Sequence, residues 1–197
     1  MRTIIARLCM SEDGIVDRPE QWLTDPRQAL GQLVTGVETV LLGRQTFERY
    51  AGSLGGLAQP RKLVIGSRPV IAHPHTEMLQ GDPRRVLAAL KSIPGDDLHV
   101  FGSLTLIRAL LRWRLVDELS LLIHPIAAGR GILLDRRPLR LISMCARENG
   151  VLEANYRVHY AATTASSGVV ISAGRWGGTR RTERVATTAR AAISTHA

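Results

Sequence analysis

Apolar residues in this chain fall in short runs separated by breaks rich in glycine, proline and charge, and strand-like runs alternate with helix-like ones. Ile4 to Met10 is apolar apart from Arg7, the pattern of a strand covered on both faces. Asp25-Pro26 then offers an N-cap and a first-turn proline, with Leu30, Leu33 and Val34 as an inward stripe and Gly36 as a stop, which predicts a helix. Thr39 to Leu42, ending at Gly43, and Lys62 to Ile65, ending in Gly66-Ser67-Arg68-Pro69, predict two further strands. Asp82-Pro83 repeats the helix-start chemistry ahead of Val86, Leu87 and Leu90. Leu98 to Phe101 predicts a strand, and Gly102-Ser103 leads directly into a helix from Leu104 to about Trp113.

The second part of the chain changes pattern. Leu119 to His124 is strand-like and is followed by the glycine loop Ala127-Ala128-Gly129-Arg130-Gly131. Leu139 to Ala146 and Val151 to Tyr160 flank Glu148-Asn149-Gly150, and Asn-Gly is a strong hairpin signal. Leu152, Ala154, Tyr156, Val158 and Tyr160 alternate with Glu153, Asn155, Arg157 and His159, so an antiparallel hairpin closes a sheet that begins as parallel units. The expected fold is therefore α/β: a mixed, mostly parallel sheet flanked by helices, over residues 1–160. From 161 to 197 the composition turns to Ala, Thr, Ser, Gly and Arg, and such a basic tail buries too little to offset its ordering entropy; it is expected to be disordered.

Composition narrows the class. The chain has 197 residues, 45% of them apolar and 22% charged, with only two cysteines, Cys9 and Cys145. That excludes a disulfide scaffold and points to a reducing, cytoplasmic setting. No apolar run approaches the length expected of a membrane span, and the start, Met1-Arg2-Thr3-Ile4-Ile5, lacks the long apolar segment and small-residue cleavage site expected of a signal peptide. The net charge of +9 would suit nucleic acid, but 24 of the 26 basic residues are arginines spread along the chain and aromatics make up only 4%. Nucleic acid is not the expected partner, because neither a clustered basic patch nor an aromatic stacking platform is present.

The dinucleotide-binding, phosphate-loop, hydrolase and zinc-protease signatures are missing, and His73-Pro74-His75 reads as a solvated loop. What remains is a repeated chemistry at three strand ends: Gly43-Arg44-Gln45-Thr46, Gly66-Ser67-Arg68 and Gly102-Ser103-Leu104-Thr105. Glycine admits a ligand close to the backbone, a helix start presents free N–H groups, and arginine suits phosphate oxygens. In open α/β sheets, ligands sit in the crevice beyond the carboxyl ends of the strands.

Leu41-Leu42-Gly43-Arg44-Gln45-Thr46-Phe47-Glu48, Ser11-Glu12-Asp13-Gly14, Val100-Phe101-Gly102-Ser103, and Leu115-Val116-Asp117-Glu118-Leu119 followed by Pro125 and the Gly129–Gly131 loop stand in an order that resembles the dihydrofolate-reductase-like superfamily. The branch they are most similar to is the C-terminal reductase domain of the riboflavin-biosynthesis deaminase/reductase, over about residues 2 to 160. The resemblance implies NADPH as cofactor, a homodimer, and hydride transfer to a C=N or C=O of a small polar substrate, pyrimidine- or pteridine-like heterocycles included. Carried over by position, it implies that Gly43, Arg44 and Thr46 hold the pyrophosphate and the 2′-phosphate side, and that Ser67 and Arg68 hold the adenosine 2′-phosphate. Gly102, Ser103, Leu104 and Thr105 would cover the pyrophosphate. Asp13 would face the substrate beside the nicotinamide as the catalytic group. Where dihydrofolate reductases carry an acidic residue in the helix after Trp22, this chain has Arg27, and Asp25 reads as an N-cap. The alternative function is a non-catalytic NADP(H)- or nucleotide-binding module.

Overall fold

The first apolar run becomes the middle of a sheet. In chain order the elements are β1 (Ile4–Ser11), α1 (Pro26–Val34), β2 (Thr39–Gly43), α2 (Arg44–Leu54), β3 (Arg61–Ile65), β4 (Thr76–Leu79), α3 (Pro83–Ser92), β5 (Leu98–Phe101), α4 (Leu104–Arg112), β6 (Glu118–His124), β7 (Leu139–Ala146) and β8 (Leu152–Val158). The computed structural model describes residues 1–54, 60–71, 74–135 and 137–160, so the expected tail and its order lie outside the described residues, as does His73.

The eight strands form one sheet in the order β4-β3-β2-β5-β1-β6-β8-β7. β1 pairs in parallel with β5 on one side and β6 on the other, and β2, β3 and β4 continue the parallel run. β8 runs antiparallel to both β6 and β7. The sheet is therefore mixed and mostly parallel, closed by an antiparallel hairpin.

Alternation along β1 explains how both faces are covered. Ile4, Ala6 and Leu8 pack with Leu87 of α3 and with Leu106, Ile107, Leu110 and Leu111 of α4. Cys9 faces the other way, into a cluster with Ala29, Leu33 and Val34 of α1 and Phe47 of α2. The caps act as their chemistry predicts. The Asp25 carboxylate accepts from Gln28 N–H at 3.0 Å and that of Asp82 from Arg84 N–H at 3.0 Å, with proline opening each helix. At the hairpin, Asn149 (φ 62°) and Gly150 (φ 74°) are both left-handed, the conformation that makes Asn-Gly favourable there. Asp117 ties the layers together: its carboxylate accepts from Ile4 N–H at 2.8 Å and from Lys91 Nζ at 2.7 Å.

Two features depart from expectation. β4 was not predicted: its four residues are half-buried or exposed at the sheet edge, so they show no clean apolar alternation. The strand end at Gly66 does not open a helix either; the next element after β3 is β4. Arg68-Pro69 explains part of this, since a residue before proline is disfavoured in the α region. Among the described residues no helix is long and apolar enough to cross a membrane.

The packing makes a contrast testable. Leu110 is 0% exposed beneath α4, whereas Ile71 is 82% exposed. Leu110→Ala is expected to cost about 2–5 kcal/mol in chemical denaturation. Ile71→Ala should stay within about 0.5 kcal/mol of the parent.

Candidate functional site

Parallel strands bring their carboxyl ends to one edge, and two helices begin there: α2 immediately after Gly43 and α4 immediately after Ser103. A cleft of about 770 Å³ lies along this edge. Gly43, Arg44, Thr46, Ser67, Gly102, Ser103, Leu104 and Thr105 all line it. Segments some 60 residues apart in sequence thus share one wall because β2 and β5 are neighbours in the sheet.

The glycines set how closely these segments approach. A Cβ on Gly43 would lie 2.5 Å from Ser103 Oγ, and one on Gly66 would lie 2.8 Å from Arg44 Cβ. Gly102 has φ +59°, which a branched side chain adopts only with strain. Ser103 stands at the N-cap of α4, but its side chain makes no capping bond, which leaves the first-turn amides without a side-chain acceptor. Two helix N-termini carry partial positive charge into the cleft. Of the charged residues on its wall, four are arginines (Arg18, Arg44, Arg49 and Arg108) and one is a carboxylate, Asp17.

Three of these arginines are held by carboxylates just off the wall, while Arg18 is mostly exposed, 4.0 Å from Asp17. Arg44 Nη1 donates to both oxygens of Glu48, at 2.7 and 2.6 Å, an i,i+4 pair on a partly exposed surface. Such a pair is worth about 0.2–0.5 kcal/mol, so an incoming anion displaces it at little cost. Arg108 pairs with Asp135 at 2.8 Å. Arg49 donates to Glu20 at 2.9 Å, and Tyr50 Oη donates to the other oxygen of Glu20, also at 2.9 Å. Burial, helped by the Glu20 carboxylate, pushes the Tyr50 phenol up to about 12, and its proton is committed to Glu20. Glu20 sits in the short turn Pro19–Gln21, so its two bonds strap the segment after Asp17 across α2.

Two sequence-predicted residues are not on this wall. Arg68 is exposed on the loop after β3 and outside the lining. Asp13 is also outside it. Its carboxylate accepts from Ser11 Oγ at 2.5 Å, Ala128 N–H at 3.0 Å and Gly129 N–H at 2.7 Å, which hold it well below the usual range, at about 2. With its acceptors committed to amides and its proton held so weakly, Asp13 has the geometry of a tie between two loops, not of an acid–base group in the cleft. Asp17 is the carboxylate that the cleft contains, with Oδ1 accepting from Ile132 N–H. Sequence reading missed Asp17, Arg49, Tyr50 and Arg108, which belong to no local motif. Arg27 is exposed, and Leu33 is the residue that α1 contributes to the cleft lining. Among the described residues no cluster suited to a metal ion occurs.

Comparison with known proteins agrees with this architecture. Residues 2–152 match the RibD C-terminal domain family. Bacillus subtilis YyaP is 25% identical over 177 residues, covering 79% of this chain and 94% of YyaP. Among solved structures, a putative riboflavin biosynthesis protein from Shewanella sp. PV-4 has a TM-score of 0.62 at 17% identity, over 80% of this chain and 99% of that one. A dihydrofolate reductase from Enterococcus faecalis, complexed with NADP(H), has a TM-score of 0.54 at 16% identity, over 79% of this chain and 94% of that one. At these identities the structural likenesses concern the fold.

The setting of Asp13 predicts a pH signature. Its acid form is depressed from 3.8 to about 2 by folding, so its stabilising contribution is complete above the unfolded value and is lost as pH falls through the folded one. Asp13→Asn should therefore melt below the parent at neutral pH, with the gap closing as the pH is lowered from about 4 towards about 2. Binding of ligands in the cleft should be unchanged.

Proposed function

Starting from a chain that belongs to the RibD C-terminal domain family, we propose that it is an NADPH-dependent reductase acting on a C=N or C=O of a small polar substrate, in the cytoplasm. The observation that carries this reading is the cleft itself: two helix N-termini, glycines at the closest approaches, and Arg44 on the wall, held only by a partly exposed i,i+4 pair with Glu48. The residues fit a dinucleotide. The first turns of α2 and α4, with Gly43, Thr46, Gly102, Ser103, Leu104 and Thr105, suit the pyrophosphate, because amides there can donate to its oxygens. Arg44 and Ser67 on the wall, with Arg68 on the adjoining loop, suit the 2′-phosphate. When bound, NADPH supplies the hydride; the protein supplies orientation and electrostatics.

The substrate end falls to other residues of the cleft lining. Leu8, Cys9, Val16 and Leu33 make an apolar floor there, beside Asp17 and Tyr50. Asp17 can accept from a ring or amino N–H and so orient a heterocycle, while the Tyr50 hydroxyl stays bonded to Glu20. Asp13 acts at one remove, by holding the Ser11–Gly14 segment to the Ala128–Gly129 amides. The alternative, a binding module without turnover, differs in one measurement: it would bind NADPH and never oxidise it with any acceptor.

A homodimer is proposed through β7. This strand ends the sheet, and Leu141, Ile142 and Met144 on it are 51%, 46% and 60% exposed. A second copy can pair antiparallel with the same strand about a two-fold axis, covering both the apolar side chains and the unpaired backbone groups. Met144→Glu should shift the chain to monomer in sedimentation velocity, and a parent that is itself monomeric overturns the dimer.

Cofactor choice tests the main reading. Arg44→Ala removes a charge-assisted contact of about 1.5–3 kcal/mol, so NADPH should bind at least about tenfold more weakly while NADH changes little. Arg68→Ala should have the smaller effect, since that side chain stands off the wall. Titration of both cofactors decides it: a parent that binds NADH as tightly as NADPH rules out the 2′-phosphate assignment.

A further inference from the structure

Three glycines stand at the strand ends of the cleft, and they are not glycine for the same reason. Gly102 has φ +59°, a left-handed backbone that favours glycine. Gly43 and Gly66 are not among the left-handed residues, so φ does not demand glycine there and the reason must be space. At Gly43 the space belongs to the Ser103 hydroxyl. At Gly66 it belongs to an arginine: a Cβ there would lie 2.8 Å from Arg44 Cβ, 3.4 Å from its Cδ and 3.5 Å from its Cγ. The stem of Arg44 therefore runs alongside Gly66. The room that sequence reading gives to a ligand is filled by the side chain expected to bind it.

The shortest of these contacts decides what a side chain at position 66 would move. Arg44 Cβ is bonded to the backbone of the first residue of α2, so no rotation of the side chain carries it away. Ordinary carbon contacts lie at about 3.5–4.0 Å, so a methyl group at 66 forces the two segments apart by at least about 0.7 Å. α2 is the fixed side: Phe47, one turn on, is 1% exposed in the core, and Gly43, just before the helix, stands against Ser103. The segment after Gly66 is the yielding side, since Ser67, Arg68 and Pro69 are exposed. Charge-assisted hydrogen bonds to phosphate span about 2.7–2.9 Å, so a shift of this size is enough to break one. Arg44 and Ser67 both line the cleft, one from each of the two segments.

We propose that Gly66 is a positioning residue for cofactor choice, its missing Cβ setting the spacing between Arg44 and Ser67 at which both reach one phosphate group. This role rests on the 2′-phosphate assignment proposed above for Arg44 and Ser67. Gly66 has no group of its own to offer a phosphate beyond its backbone, and it acts through the arginine stem that lies against it. Its effect is therefore confined to the phosphate that distinguishes NADPH from NADH.

Equilibrium binding of NADPH and NADH to the full chain tests it, with the parent, Gly66→Ala, Arg44→Ala and the double variant measured side by side. The parent should prefer NADPH. Gly66→Ala should melt close to the parent, because the exposed segment takes up the shift. Its NADPH affinity should fall at least about fivefold while its NADH affinity is unchanged. The double variant should show the cofactor preference of Arg44→Ala alone, within about twofold, because Gly66 acts through that side chain. A merely structural glycine would weaken both cofactors alike and add its loss to that of Arg44→Ala; either result overturns the role. A parent that binds NADH as tightly as NADPH removes the 2′-phosphate assignment and this role with it. A parent that prefers NADPH, beside a Gly66→Ala chain that keeps the whole preference, overturns the role of Gly66 and leaves the assignment standing. A Gly66→Ala chain that fails to fold does the same, because the glycine would then serve the packing of α2.

Discussion

The constraint on which everything else rests is the parallel pairing at the centre of the sheet. β1 lies between β5 and β6, and β2 lies against β5, all running the same way. Parallel neighbours cannot be joined by a tight turn; each return needs a crossover, and here helices supply most of them. Every such strand therefore delivers its carboxyl end to one edge, and α2 and α4 begin at that edge. Had β2 and β5 been separated by another strand, Gly43 and Ser103 would not approach each other, and the cleft would have two unconnected halves.

The same geometry sorts charge. Helices that start at one edge finish near the other, so the N-terminal ends gather where the strands end and the C-terminal ends gather where they begin. The cleft follows this polarity: arginines outnumber carboxylates on its wall, and uncapped amides face it. The opposite edge carries the carboxylates Glu38 and Asp96, near the C-terminal ends of α1 and α3. Arg2 runs against the trend, with its Nε donating to the Asp96 carbonyl. The fold thus holds an anion-seeking edge and a mixed-charge edge, separated by the length of a strand.

Legibility from sequence tracked how local the cause was. The capping aspartates Asp25 and Asp82, the Asn149-Gly150 turn and the inner alternation of β1 act through bonds a few residues long, and each appears where its pattern places it. β4 did not announce itself, because an edge strand of four residues owes its shape to β3 beside it. The glycine-led segments at 43, 66 and 102 stood out in the sequence and line one cleft, but not the reason that Gly43 must be glycine, which is the Ser103 hydroxyl 2.5 Å from where a Cβ would stand. Asp13 shows the limit most clearly. An Asp-Gly turn after a strand reads equally well as a catalytic carboxylate and as a structural one, and the Ala128 and Gly129 amides that decide between them are over a hundred residues away.

The sequence by itself determined the order of elements, their caps and turns, the apolar faces, and the three strand ends that a ligand can approach. These follow from propensity, periodicity and backbone stereochemistry, which are properties of neighbours along the chain. Only the tertiary structure decided which strand lies next to which, and hence that Asp17, Arg49, Tyr50 and Arg108 share a wall with the glycines, that Asp13 is tied outside it, and that Arg2 meets Asp96 at the far edge. Those juxtapositions depend on strand order and on burial, which no local pattern encodes, because the free energy that selects them comes from packing between segments remote in the chain.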